Sequence, residues 1–229
     1  MAFCALCFQP FTRTSPLDFC PSCEEGWQAL RLSEQHRWIQ PSGRSYVILS
    51  AYAYRGVCRD SILACKGRGY RLLGQALVKR SLALPEVLAL AERCDVLMPA
   101  PSSLWSRWHG SLDLAAYLAE GLAIATGRMW RAPPWRLCFR WHKQALLPRH
   151  ERRRVFQRDG IRYDAAYFYE VLPKVNPAER LKVLVIDDVV TTGHTLTELA
   201  DRFANVDFTF YTLASAFRLS ENTRQTLAL

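Results

Sequence analysis

The sequence predicts an α/β protein, a parallel sheet flanked by helices, with a small four-cysteine module at its N-terminus. Three observations predict it. Val183-Leu184-Val185-Ile186 is an unbroken aliphatic run, which a strand needs when both of its faces are covered. Thr191-Thr192-Gly193 follows as a small-residue turn, and Thr195 to Ala200 then carries a helical pattern, so a strand, a turn and a helix stand in succession. At the other end, Cys4-x2-Cys7 and Cys20-x2-Cys23 are separated by twelve residues, two knuckles that bring four thiolates to one tetrahedral metal. A chain of 229 residues has room for one good-sized domain and a small appendage.

In chain order, residues 1–45 form the cysteine module. An element this small cannot bury a core of its own, so metal binding, structural zinc for four thiolates, is expected to stabilise it. Glu24 to Arg37 reads as a short helix, and Pro41-Ser42-Gly43-Arg44-Ser45 as a linker. The main domain, 46–229, opens on a strand or hairpin arm, Tyr46 to Tyr54. A helix follows from Val57 to Lys66, with Cys58 and Cys65 on one face as small core hydrophobes. Lys66-Gly67-Arg68-Gly69-Tyr70 interrupts that pattern. It is neither a dinucleotide fingerprint, since Gly74 comes too late, nor a Walker loop, since no Gly-Lys-Ser/Thr follows. Two cations on a Gly-rich turn suit either a phosphate or plain solvent. Helices are expected at Leu72 to Leu84 and Ser111 to Ala125, the second with Leu112, Ala115, Ala116, Ala119 and Ala123 on its packed face. Short strands are expected at Asp95 to Met98 and Arg136 to Trp141. A mobile loop is expected at Pro148 to Gly160, and a last strand at Val206 to Leu213.

The stretch Val183 to Thr195 carries the chemistry. A turn leading into a helix N-terminus presents free N–H groups and a favourable dipole to an anion. Thr191, Thr192 and Thr195 add hydroxyl donors. Asp187 and Asp188 repel an anion but accept charge-assisted hydrogen bonds from sugar hydroxyls. The alternative is a buried strand whose acidic end is merely solvated. In open α/β sheets ligands sit at the carboxyl ends of strands, which also marks Pro99-Ala100-Pro101-Ser102-Ser103.

Taken whole, Val183–Thr195 resembles the phosphoribosyl diphosphate (PRPP) signature of type I phosphoribosyltransferases. The resemblance implies a phosphoribosyltransferase-like domain over 46–229. Asp187 and Asp188 would be the catalytic carboxylates on the ribose hydroxyls. Val189, Val190, Thr191, Thr192, Gly193, His194 and Thr195 would be the loop around the 5′-phosphate. Lys66, Ala100, Pro101, Ser102, Arg107 and Arg152 would lie on the pyrophosphate side, with Mg2+ accompanying PRPP or another ribose 5-phosphate ligand.

The order of cysteine knuckles, Tyr-rich strand, Lys-Gly stretch, Pro-x-Pro, basic loop and PRPP signature resembles the ComF family of competence proteins and their GntX relatives. That resemblance implies a role in natural transformation with incoming single-stranded DNA, beside a helicase-like ComF partner and other competence proteins. The chain departs from the family at His109-Gly110-Ser111-Leu112, where Arg-Gly-Phe-Asn is usual, and at Val155, where asparagine is expected.

The formal charge of +9 points to a polyanionic partner. Residues 128–162 hold eleven Arg or Lys and two acids, a local excess equal to that of the whole chain. Trp130, Trp135, Phe139, Trp141 and Phe156 are interleaved. Cations among stacking rings suit single-stranded nucleic acid, with Arg140, Lys143, Arg149, Arg152, Arg153 and Arg154 as candidate contacts. The alternative is that some rings are core and the arginines solvated. Met1-Ala2-Phe3-Cys4 has no basic n-region. The most apolar stretch, Leu112 to Thr126, is too short for a bilayer and carries Asp113 and Glu120. The expectation is a cytoplasmic protein without membrane insertion.

Overall fold

A computed structural model describes residues 1–12, 18–32, 35–39, 45–100, 112–131, 135–136, 162–163, 180–191, 193, 196, 200 and 206–216. Its centre is a six-stranded sheet. In spatial order the strands are β3 (Gln35–Ile39), β4 (Ser45–Ala53), β10 (Val206–Ser215), β9 (Leu181–Val190), β5 (Val96–Pro99) and β6 (Met129–Trp130). β4, β10, β9, β5 and β6 run parallel, and β3 pairs antiparallel with β4 at one edge. The expected α/β class with a parallel sheet flanked by helices is the observed one. Two small ribbons stand apart from this sheet: β1 (Ala2–Phe3) with β2 (Pro10–Phe11), and β7 (Trp135–Arg136) with β8 (Arg162–Tyr163).

The aliphatic run at Val183–Ile186 explains the central position of β9. All four side chains are fully buried, and they divide by alternation between the two faces. Leu184 and Ile186 join one core with Leu97, Tyr211 and Leu213, covered by the helices α2 (Gly56–Arg68), α3 (Arg71–Leu82), α4 (Pro85–Glu92) and α5 (Leu114–Thr126). Val183 and Val185 join a second core on the opposite face with Ile48, Met98, Phe210 and the helical residues Leu196 and Ala200.

Several local expectations need correcting. The helix expected over Glu24 to Arg37 is α1 (Pro21–Gln28), with Pro21 in its first turn. Gln35–Ile39 is instead drawn into the sheet by antiparallel pairing with β4. The Lys66-Gly67-Arg68 stretch does not interrupt a helix. It is the last turn of α2, which Gly69 ends in the left-handed conformation at φ 62°, its N–H bonding the Cys65 carbonyl. α4 and β6 were not foreseen. On α5 the buried stripe includes Leu118 and Leu122, whereas Ala116 is only partly covered. Asp113 caps this helix by accepting the Ala116 N–H at 3.1 Å. Cys58 and Cys65 are fully buried, and burial pushes both thiols up to about 12, as inert core residues require. No helix among the described residues is long and apolar enough to cross a membrane. The loop expected at Pro148 to Gly160 lies outside the described residues, as does all but Arg136 of the strand expected to reach Trp141.

Candidate functional site

Four cysteines do converge. The Sγ atoms of Cys4, Cys7, Cys20 and Cys23 all lie within 4.8 Å of one another, Cys7 and Cys20 at 3.6 Å. A tetrahedral S4 site with Zn–S bonds of about 2.3 Å sets its sulfurs roughly 3.8 Å apart, so the cluster has the size of a metal site. Its electrostatics fit as well. Burial disfavours the Cys4 thiolate, but the N–H groups of Cys7, Cys20 and Leu6 outweigh it and bring the thiol down to about 7. Burial and the neighbouring sulfurs push the Cys23 thiol well up. One thiol ready to ionise beside others that resist suits a cluster that needs a shared cation.

The module is anchored to the sheet by a buried cation. Arg80 of α3 is 1% exposed, and its guanidinium lies 4.8 Å from the Phe19 ring centroid, 4.7 Å from Trp27 and 5.8 Å from Tyr52. It pairs with Glu24, the neighbour of Cys23. Nothing in the local sequence of α3 signalled this contact, because its partners come from three other segments.

The second site lies at the carboxyl edge of the sheet. Asp187 and Asp188 do not end their strand as expected. β9 runs on through Val190, because β10 keeps pairing with it as far as Ser215. Asp187 stands opposite Thr212 of β10, and its Oδ1 accepts the Asp188 N–H at 2.8 Å. Asp188 is 6% exposed, and the alternation from Leu184 and Ile186 carries it to the α2 face. There its Oδ2 meets the Lys66 ammonium. Val190 is buried and Thr191 exposed. Gly193 is buried at φ +64°, a conformation that favours glycine, and its carbonyl accepts the Leu196 N–H at 3.1 Å. Ala100 is buried, its N–H on the Ile186 carbonyl.

Charge is held under tension here. Burial, and then the Asp188 carboxylate beside it, keep the Asp187 carboxyl well above the ordinary aspartate range, against the pull of Lys66 and the Asp188 N–H. Burial disfavours the Lys66 ammonium, but Asp188 and Asp187 more than offset this and hold its pKa above the usual lysine value. Tyr54 belongs to the same group. It follows β4 directly, donates its N–H to the Ser215 carbonyl at 2.8 Å, and its phenol titrates in the field of Lys66 and Asp188. The sequence reading missed Tyr54; its place one residue past a parallel strand was the available signal.

Thus Lys66, Ala100, Asp187, Asp188, Val189, Val190, Thr191 and Gly193 are placed at or beside the carboxyl edge. Thr192, His194, Thr195, Pro101, Ser102 and Arg107 lie outside the described residues, as do the candidate nucleic-acid contacts Arg140, Lys143, Arg149, Arg152, Arg153 and Arg154.

The fold and site define an α/β protein with an acidic strand edge, an adjoining glycine turn and a four-cysteine cluster. The chain is similar to an orotate phosphoribosyltransferase from Aeropyrum pernix, with 13% identity over 85% of this chain and 82% of that one, at a TM-score of 0.36. It is also similar to an adenine phosphoribosyltransferase, with 12% identity over 87% and 94% of the two chains, at 0.33. Similarity to Leishmania donovani UMP synthase, 13% identical, covers 66% of this chain but 27% of that one, at 0.27. No family model matches the sequence. No curated protein matches it either.

Proposed function

We propose that the carboxyl edge of β9 binds the ribose 5-phosphate part of PRPP, and that the protein is a ComF-type factor that uses this pocket in the handling of single-stranded DNA. The observation that carries the pocket is the succession on one strand edge. Two adjacent carboxylates, one engaged by Lys66, are followed within a few residues by the left-handed Gly193 turn and the helical Leu196. Carboxylates accept hydrogen bonds from the ribose hydroxyls, while the turn and helix start present N–H groups to the 5′-phosphate. Mg2+ would arrive with the diphosphate and neutralise its charge. Zinc would sit on Cys4, Cys7, Cys20 and Cys23 and hold α1 in place.

The DNA role is supported by the basic, ring-bearing segment 128–162, which holds a charge excess equal to that of the whole chain. Binding of a fluorescent oligonucleotide should weaken steeply between low and moderate salt. Replacing Arg152, Arg153 and Arg154 by Glu should weaken it further and flatten the salt slope by about one unit for each phosphate no longer neutralised. Binding indifferent to both changes overturns the DNA role.

A second reading, transfer of the phosphoribosyl group to a base, follows from the same acidic pair. The C1–O bond breaks with its electrons leaving on diphosphate, a nitrogen of the acceptor forms the new bond to C1, and the proton of that N–H passes to the departing diphosphate or to water. Asp187 and Asp188 would hold the ribose as positive charge builds at C1. Calorimetric titration with PRPP and Mg2+, followed by an assay for released diphosphate with nucleobases present, separates the readings. Binding without release supports a ligand-responsive scaffold, release supports the transferase, and absence of binding overturns the pocket.

A further inference from the structure

We propose that Lys66 is a latch on this site. Its ammonium holds the Asp188 carboxylate, and a ribose 5-phosphate ligand draws it off, freeing Asp188 for the sugar and its cation. The inference rests on the pocket reading above, and it goes further by assigning a residue that governs access.

Three features carry it. First, Lys66 is in direct ion-pair contact with Asp188 Oδ2, and the carboxylate is nearly closed to solvent, its side chain 9% exposed. Any group that binds Oδ2 must therefore take the place of the ammonium or share the oxygen with it. Second, Lys66 itself is half-exposed, its side chain at 46%, and stands on the final turn of α2. Its side chain thus borders solvent while its partner carboxylate is buried, the arrangement of a movable cation rather than a core ion pair. Third, no other cation is seen against the acidic pair among the described residues. Asp187 is engaged by the Asp188 N–H, and Tyr54, the neighbouring titratable group, is not cationic.

Two carboxylates side by side repel, and the Lys66 ammonium on Asp188 offsets that repulsion. A phosphate arriving at the Gly193 turn competes for the same ammonium. Once Lys66 moves to the phosphate, Asp188 accepts from the ribose hydroxyls. Binding of sugar phosphate and binding of a divalent cation at the carboxylates then become mutually reinforcing, because each removes the same competitor.

The test uses Mn2+ alone as a probe, measured by the loss of its free EPR signal in the zinc-loaded full chain. Lys66→Met should bind Mn2+ at least about 10-fold more tightly than wild type, since the competing cation is gone, and Lys66→Arg should stay near wild type. Adding ribose 5-phosphate should raise the Mn2+ affinity of wild type toward that of Lys66→Met and leave the variant's little changed. Lys66→Gln, which keeps much of the aliphatic stem, gives the same reading should Lys66→Met fail to fold. Equal Mn2+ affinity in wild type and in the neutral variants overturns the latch. A tighter neutral variant with no response of either protein to ribose 5-phosphate keeps Lys66 as a cation latch and overturns the sugar-phosphate reading of the pocket.

Discussion

Asp187 is a partly buried carboxyl whose ionisation costs the fold free energy. Its carboxyl is raised by burial and by Asp188, and raised groups of this kind cluster where function requires them. The sign of the stability effect follows from linkage. In the unfolded chain the carboxyl titrates near its ordinary value of 3.8, and in the fold it titrates higher. The cost is absent below the unfolded value, grows as pH rises toward the folded one, and is constant above it. Asp187→Asn keeps the Oδ1 acceptor for the Asp188 N–H while removing the charge. At pH 7 to 8 it should raise the Tm by about 2–4 °C, the shift expected from roughly 1 kcal/mol in a chain of this size. The gain should vanish below about pH 3, and binding of PRPP should be lost throughout. A variant less stable than wild type at pH 7 would show that the pair is not held under tension. The identity of this residue was legible because an acidic pair after an aliphatic run stands out in one dimension. Lys66 as its partner was not, because that contact joins α2 to β9 across more than a hundred residues.

At the scale of elements, α3 packs against α5, and glycine sets the spacing of the pair. A Cβ on Gly121 would come 2.3 Å from Val78 Cγ1, and one on Gly74 would come 2.6 Å from Leu112 Cδ2. Gly121 admits Val78 of the opposite helix, and Gly74 admits Leu112, just ahead of α5, so the pair interlocks twice. Gly121→Ala forces Val78 or the helix axis aside and should cost about 1–3 kcal/mol in chemical denaturation. Adding Val78→Ala should recover part of that loss, because the two positions share one space. Strict additivity of the two changes would show that they do not meet. Legibility differs from element to element for physical reasons. β9 was legible because a strand covered on both faces needs an aliphatic run. α2 was cut short in the sequence reading because Gly67 lowers helix propensity by about 1 kcal/mol relative to alanine, a weak preference that the packing of Cys58, Ile62 and Cys65 overrides. Gln35 to Arg37 read as the end of a helix because nothing local reveals that β4 offers this segment an edge.

Across the whole molecule, the cysteine module and the sheet share one core, so the metal site bears on more than its own few residues. Cys20 caps α1 and Cys23 lies within it, and the same helix carries Glu24 and Trp27. Trp27 is fully buried against Tyr52 of β4, ring centroids 4.7 Å apart, and both rings face Arg80. Asp18, just before the second knuckle, accepts from Lys79 of α3 at 2.6 Å. With zinc on the four cysteines as proposed, its removal would take away the bonds that fix the start of α1. Glu24, Phe19 and Trp27 then leave Arg80 without its anion and without two of the rings that cover it. Breaking a buried ion pair from one side costs about 3–5 kcal/mol, a large share of the stability of an ordinary domain. Stripping the protein with a strong chelator should therefore lower the far-UV melting temperature of the sheet itself, in one transition, and readdition of Zn2+ should restore it. Hydrogen exchange should quicken in β4 as well as in α1. A stripped protein whose β4 amides stay protected while residues 1–32 exchange freely would show that the module is a detachable appendage. The shared packing of Trp27, Tyr52 and Arg80 predicts the opposite, because the sheet cannot keep that face closed after α1 has left it.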